Sequence, residues 1–267
     1  MIIKHIFTDM DGTLLNNDGK ISYVNKKKIL SGTVPVTLVS ARSPIEMFFA
    51  IEELGLSTPQ ISFNGNLIYE KVNSEIKILQ KHTLLPDSAE KLINFVSEIF
   101  PSISLSWYTL DEWMIQTEDK ETDFQTNLTG VMPNIQSFNK NIEIYKIMMM
   151  TFDEKTMIKL KSTLFHIEIE GISIKQSGAW YLEITSNKKS KADAVNEILK
   201  TEGIVFDEIA AIGDGHNDIP LLKMAGLPIV VANGSGEVKE YAKKIVAENQ
   251  KDGVSEAITF IEKNNRI

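Results

Sequence analysis

Short runs of consecutive apolar residues alternate with stretches of helical periodicity at both ends of this chain. Residues 2–8 read as a buried strand and 24–30 as a helix. Residues 34–40 read as a second strand, 44–54 as a helix, and 61–63 as a third short strand that ends at Asn64-Gly65. The same rhythm returns late in the sequence, with helix 191–202, strand 208–212, helix 219–225, strand 228–231 and a last helix over 254–263. Strands buried on both faces read as unbroken apolar runs, so this pattern predicts a parallel sheet with helices on both sides.

The middle reads differently. Helical stretches at 88–100 and 154–165 mix with strands at 103–107, 143–151, 172–176 and 180–184. Alternation such as Tyr181-Leu-Glu-Ile fits an antiparallel sheet with one face covered. All three tryptophans (Trp107, Trp113, Trp180) fall in this stretch. The expected architecture is α/β, a doubly wound, Rossmann-like parallel-sheet core with an inserted α+β domain. The core takes residues 1–85 and 186–267, the insert 86–185, and the linkers lie near 82–86 and 185–189. The polar segment 119–136 receives no assignment.

Composition narrows the chemistry. A length of 267 residues with 43% hydrophobic and 24% charged positions suits one large domain or two modest ones. Thirty-six acids against 28 bases give a net charge of −8, the wrong sign for a nucleic-acid or anionic membrane surface. The absence of cysteine excludes disulfides and thiolate chemistry, and four scattered histidines argue against a histidine-rich metal site. No apolar run approaches the roughly 20 residues of a membrane helix, and the N-terminus reaches Asp9 and Asp11 too soon for a signal peptide. A cytoplasmic enzyme, monomeric or weakly dimeric, is the expectation.

Four patches carry candidate chemistry. Phe7-Thr8-Asp9-Met10-Asp11-Gly12-Thr13 ends a strand in two carboxylates one residue apart, a spacing that presents both side chains to one place. Two such acids need a cation, and hard oxygens suit Mg²⁺. Ser40-Ala41-Arg42 follows a strand with a hydroxyl and free N–H groups, either a phosphate cradle or a helix cap. Ser190 and Asp193 fit a capping box, which puts Lys191 in the first turn, where a cation opposes the helix dipole. Lys188 and Lys189 stand close by as competitors. Gly213-Asp214-Gly215-His216-Asn217-Asp218 offers two more carboxylates and an amide at a strand end, with helix capping as the plainer reading of Asp218.

In this order the four patches resemble the D-x-D-G-T signature, Ser/Thr loop, lysine and G-D-x-x-N-D motif of the haloacid dehalogenase superfamily. An insert after the strand ending in Asn64-Gly65 is similar to the Cof-type branch, with its large α/β (type IIB) cap. The resemblance implies a Mg²⁺-dependent phosphatase of small phosphorylated metabolites, sugar phosphates first among them, with a cap that selects the substrate. It implies that Asp9 is the nucleophile and a magnesium ligand, and that Asp11 is the general acid/base and lends its carbonyl to the metal. Asp214 would be the other direct ligand, with Asp218 behind it. Met10, Ser40, Ala41, Lys191 and Asn217 would hold the phosphoryl group. Ser40-Ala41-Arg42 departs from the commoner Thr-Gly-Arg but keeps the hydroxyl and the N–H. A phosphosugar mutase and a non-catalytic binder of phosphorylated metabolites are the alternatives.

Overall fold

The computed structural model describes residues 2–72 and 75–265. In chain order the first elements are β1 (His5–Thr8), α1 (Tyr23–Ser31), β2 (Val36–Leu38), α2 (Pro44–Glu53), β3 (Gln60–Ser62), β4 (Leu67–Val72) and β5 (Glu75–Lys81). The middle holds α3 (Pro86–Ile99), β6 (Ser104–Tyr108), β7 (Trp113–Ile115), α4 (Lys120–Thr129), β8 (Asn134–Ile135), β9 (Lys146–Met150), α5 (Glu154–Phe165), β10 (Ile172–Gln176) and β11 (Tyr181–Ser186). The chain finishes with α6 (Lys191–Glu202), β12 (Ile209–Gly213), α7 (Ile219–Met224), β13 (Leu227–Val231), α8 (Gly236–Lys239), β14 (Lys244–Val246) and α9 (Gly253–Asn265). Among the described residues no helix is long and apolar enough to cross a membrane.

The chain divides into two compact units: residues 1–42, 47–81 and 189–267 form one, and 43–46 with 82–188 form the other. The first is built on a five-stranded parallel sheet in the order β14-β13-β12-β1-β2. Every residue of β1 and β12 is buried, as the apolar runs require for strands covered on both faces. Phe7 and Ala211 pack with Val195, Ile198 and Leu199 of α6 and with Leu221 and Leu222 of α7. Alternate residues such as Ile6 and Ile212 are equally buried and point the other way. From β1 the chain steps outward to β2, then returns to β12 on the opposite side of β1. That reversal creates a crevice beyond the carboxyl ends of β1 and β12, where open α/β sheets place their ligands.

β3 lies parallel to β2 through a single bridge between Val39 and Ile61, and then starts an antiparallel sheet with β4 and β5. This hairpin and β14 had no counterpart in the apolar pattern. β5 is mostly exposed, so it lacks the sustained apolar run that marks a core strand.

In the second unit the six-stranded sheet runs β10-β11-β9-β6-β7-β8 and is antiparallel except for β7 beside β8. Trp107, Ile147, Met149, Leu182 and Ile184 meet Leu92 and Val96 of α3 and Leu160 of α5 in one apolar core. The unassigned polar segment forms α4 and β8. Asp119 and Thr122 close a capping box at the start of α4, and Gly130 ends it at φ 72°. The face that α4 buries is Glu121, Thr122 and Gln125, so no apolar stripe betrays the helix in sequence.

Candidate active site

The strand β1 stops at Thr8, but the Asp9 N–H still donates to the Ile212 carbonyl, which sets Asp9 at the mouth of the crevice. The chain then turns. Gly12 has φ 77°, and a Cβ there would lie 2.5 Å from Asp214 Oδ2. Only glycine supplies both that backbone and that close approach.

The turn overturns the expected geometry of Asp9 and Asp11. Because the strand does not continue, the period-two argument fails and the two side chains part. Asp9 is buried and meets Asp214 and Asp218, with ligand oxygens of all three within 4.8 Å of one another. The Asp11 side chain is 56% exposed and is held by Arg42, whose Nε donates to Oδ2 at 2.9 Å and whose Nη2 donates to Oδ1 at 2.7 Å. Of the expected metal residues, Asp11 is therefore the one whose carboxylate stands outside the cluster; the carbonyl role implied for it is a separate matter that this geometry leaves intact.

Lys191 joins the cluster from the first turn of α6. Its ammonium is fully buried and donates to Asp9 Oδ1 at 2.5 Å and to Asp218 Oδ1 at 2.7 Å. The capping box sits where the sequence placed it, with the Ser190 N–H on Asp193 Oδ2 and the Asp193 N–H on Ser190 Oγ. The neighbouring Lys189 pairs with Glu197 instead. Asp218 Oδ2 also accepts from the N–H groups of Asp214 and Gly215. Both Asp218 oxygens are thus engaged, and its carboxylate braces the loop as well as the lysine.

Charge crowding governs the electrostatics. Burial raises the Asp9 carboxyl well above its ordinary range; Lys191 opposes that shift, and the charges of Asp218 and Asp214 add to it. Burial also pushes Asp214 up to about 6, against the hydrogen bond that Thr13 Oγ1 donates to its Oδ1 at 2.7 Å. For Lys191 burial alone would lower the pKa, but Asp218 and Asp9 outweigh it and the group is raised. Between an unfolded value of 3.8 and a folded value of about 6, the native state holds a proton on Asp214 that the unfolded chain has released. The stability Asp214 contributes is therefore complete below that window and is lost as pH rises through it. Metal-free protein is expected to show a melting temperature that Asp214 pulls down between about pH 4 and pH 6.5. Asp214→Asn should flatten that part of the profile, and superimposable profiles would show that Asp214 titrates normally.

The remaining candidates follow β1, β2 and β12 in the chain. Ser40 is fully buried, and its Oγ accepts from the Arg42 N–H at 3.1 Å. The Met10 side chain is fully buried, so only its backbone is left to serve a ligand. Asn217 Nδ2 donates to Asn64 Oδ1 at 3.2 Å. Thr13, Arg42 and Asn64 had no role in the sequence reading, although each stood inside a stretch it singled out. Their partners are 201, 31 and 153 residues away, a distance no local pattern bridges.

Comparison with known proteins gives the family. A family profile described as haloacid dehalogenase-like hydrolase matches residues 6–258. A 5-amino-6-(5-phospho-D-ribitylamino)uracil phosphatase of Bacillus subtilis is 26% identical over 282 residues, covering 95% of this chain and 96% of that one. A phosphoglycolate phosphatase of Methanosarcina acetivorans is 26% identical over 268 residues, with full coverage of both chains. The crystal structure of a haloacid dehalogenase-like hydrolase from Bacteroides thetaiotaomicron superposes with a TM-score of 0.87 at 26% identity, over 97% of this chain and 99% of that one. The chain is therefore a phosphatase belonging to the family of haloacid dehalogenase-like hydrolases, in its Cof-type branch.

Proposed function

We propose that the protein hydrolyses small phosphomonoesters, sugar phosphates first among them, with Asp9 as nucleophile and Mg²⁺ as cofactor. One observation carries this reading. Three carboxylates and a buried lysine converge where the strand order of the parallel sheet reverses. The donor set fits a hard divalent cation: all oxygen, acidic, and with two of its carboxyls raised in pKa, first by burial and then by the neighbouring carboxylates. Asp9 and Asp214 would bind the ion directly, with Asp218 behind them because its oxygens are occupied. Bound Mg²⁺ supplies charge neutralisation for the transferring phosphoryl group.

The protein groups then do the following. The free oxygen of Asp9 attacks phosphorus in line, a P–O bond to the aspartate forms, and the ester P–O bond breaks. Lys191 favours the ionised form of Asp9 and donates to the phosphoryl oxygens as charge builds there. Ser40, the Met10 and Ala41 N–H groups and Asn217 hold the remaining oxygens. Asp11 protonates the departing alcohol and afterwards takes a proton from the water that cleaves the aspartyl-phosphate. In this structure the Asp11 carboxylate is held by the Arg42 guanidinium, and the proposed cycle has that ion pair open when a substrate binds. The choice of substrate is assigned to the second unit, which supplies none of these residues.

A phosphate-release screen tests the reading. The panel holds sugar phosphates, phosphoglycolate, the phosphoribitylamino-uracil, nucleotides and pyridoxal phosphate. Chelation with EDTA should abolish release, Mg²⁺ should restore it, and Ca²⁺ should support it poorly, because its looser coordination misplaces the nucleophile. Full turnover in chelator would refute the metal assignment. Turnover that appears only with an added sugar bisphosphate would make the protein a mutase.

A further inference from the structure

The segment linking β3 to β4 holds a backbone that its residue types do not favour. Phe63 and Asn64 have φ values of 49° and 58°, side by side. Asparagine visits this left-handed region readily, but for a bulky residue such as Phe63 it is an outlier. Strain of this kind persists where surrounding contacts over-determine it, and such places cluster at functional sites.

Several contacts of the turn lead to the phosphoryl-holding groups. The Phe63 N–H donates to the Arg42 carbonyl at 3.1 Å, and the Asn64 N–H donates to the Ser40 carbonyl at 3.0 Å. The carbonyls on either side of Ala41 are thereby pinned, which fixes the direction of the peptide groups between them. Gly65, at φ 101°, lies so close to α6 that a Cβ would fall on the Ser190 carbonyl, one residue before Lys191. Asn64 Oδ1 accepts from Asn217 Nδ2 at 3.2 Å. One strained turn therefore touches the Ser40–Arg42 loop, the start of the lysine helix and the asparagine of the acidic loop.

We propose that Asn64 is a positioning residue for phosphoryl binding, acting through Asn217: its left-handed backbone anchors the Ser40 loop, and its amide oxygen orients the Asn217 amide. The inference rests on the phosphoryl-holding role proposed above for Asn217. An amide with one N–H engaged by Asn64 is restricted in rotation, and its second N–H is held for an anion. A freely rotating amide would have to be ordered when the anion binds.

A double-mutant cycle tests this, read as the Kd for inorganic phosphate by calorimetry with Mg²⁺ present. Asn64→Gly keeps the backbone, which glycine adopts freely, and removes the acceptor. Asn64→Gly and Asn217→Ala should each weaken phosphate about tenfold, the scale of one hydrogen bond to a charged group. The double variant should stay within about twofold of Asn217→Ala, because groups that act through one contact are not additive. Thermal melting should show Asn64→Gly as folded as the wild type.

Independent losses that multiply to about a hundredfold would overturn the proposal. A wild-type Kd in Asn64→Gly would do the same. An Asn64→Gly protein that does not fold would make the side chain structural, which also overturns it. A wild type that binds phosphate but cleaves no ester would defeat the phosphatase reading and leave the cycle standing. A wild type that binds no phosphate would overturn both.

Discussion

Asp9→Asn is expected to reduce phosphate release at least about a thousandfold, a barrier increase on the order of 4 kcal/mol. The amide keeps the shape of the carboxylate and removes the attacking charge. The fold should survive, since Lys191 retains its bond to Asp218 and the crowding among Asp9, Asp214 and Asp218 is relieved. The melting temperature should therefore stay near that of the wild type in metal-free buffer. Rapid-quench labelling with a phosphoester radiolabelled at phosphorus should trap a protein-bound phosphoryl group in the wild type and none in the variant. Turnover within about tenfold of wild type, a change of only ~1.4 kcal/mol, would remove Asp9 from the nucleophile's place.

Lys191→Met should damage both activity and stability, in contrast to Asp9→Asn. The lysine is fully buried between two carboxylates, and the methionine that replaces it fills similar space without charge. Removing one partner of a buried pair leaves uncompensated charge and costs about 3–5 kcal/mol. For a chain of this size that corresponds to a fall in melting temperature on the order of 10 °C. Added Mg²⁺ should recover part of the fall, because a cation again meets Asp9 and Asp214, while turnover should remain at least about a hundredfold down, since the phosphoryl oxygens have lost a donor. A Lys191→Met protein that melts with the wild type in metal-free buffer would mean that the ammonium is not needed to hold these carboxylates together. Unequal stability effects at two directly bonded positions, little change at one and a large fall at the other, are a sharper test of the charge balance than either variant alone.

The paired behaviour follows from how the site is made. Asp9 and Asp214 end neighbouring strands, and each strand announces itself as an apolar run, so both positions were legible from one dimension. The lysine was legible in another way. The capping box of Ser190 and Asp193 places the start of α6 at Lys191, and a cation in a first turn is an anomaly that local helix energetics does not explain. What separated Lys191 from Lys189 was burial, and burial belongs to the assembled core rather than to the sequence around it.

Asp11 shows where local reasoning failed. Its spacing from Asp9 implied a shared direction only while the strand continued, and Gly12 with the turn around it ends that condition. Its partner Arg42 comes from the end of a different strand, so the ion pair exists only because β1 and β2 are adjacent in the sheet. The polar helix α4 was missed for a related reason, since it buries polar side chains and offers no apolar stripe to read.

The alternation of elements, the class of the sheet and the residue types at the strand ends were all readable from the amino-acid order. Periodicity and capping are interactions over a few residues, and a chain writes them locally. The tertiary arrangement was needed to show that the Asp11 carboxylate stands outside the cluster of Asp9, Asp214 and Asp218, and that Thr13, Arg42 and Asn64 brace the site. Those outcomes depend on strand order and on turns that join residues far apart in sequence. Hydrogen bonds and charges act over a few ångströms of space, whatever the separation along the chain.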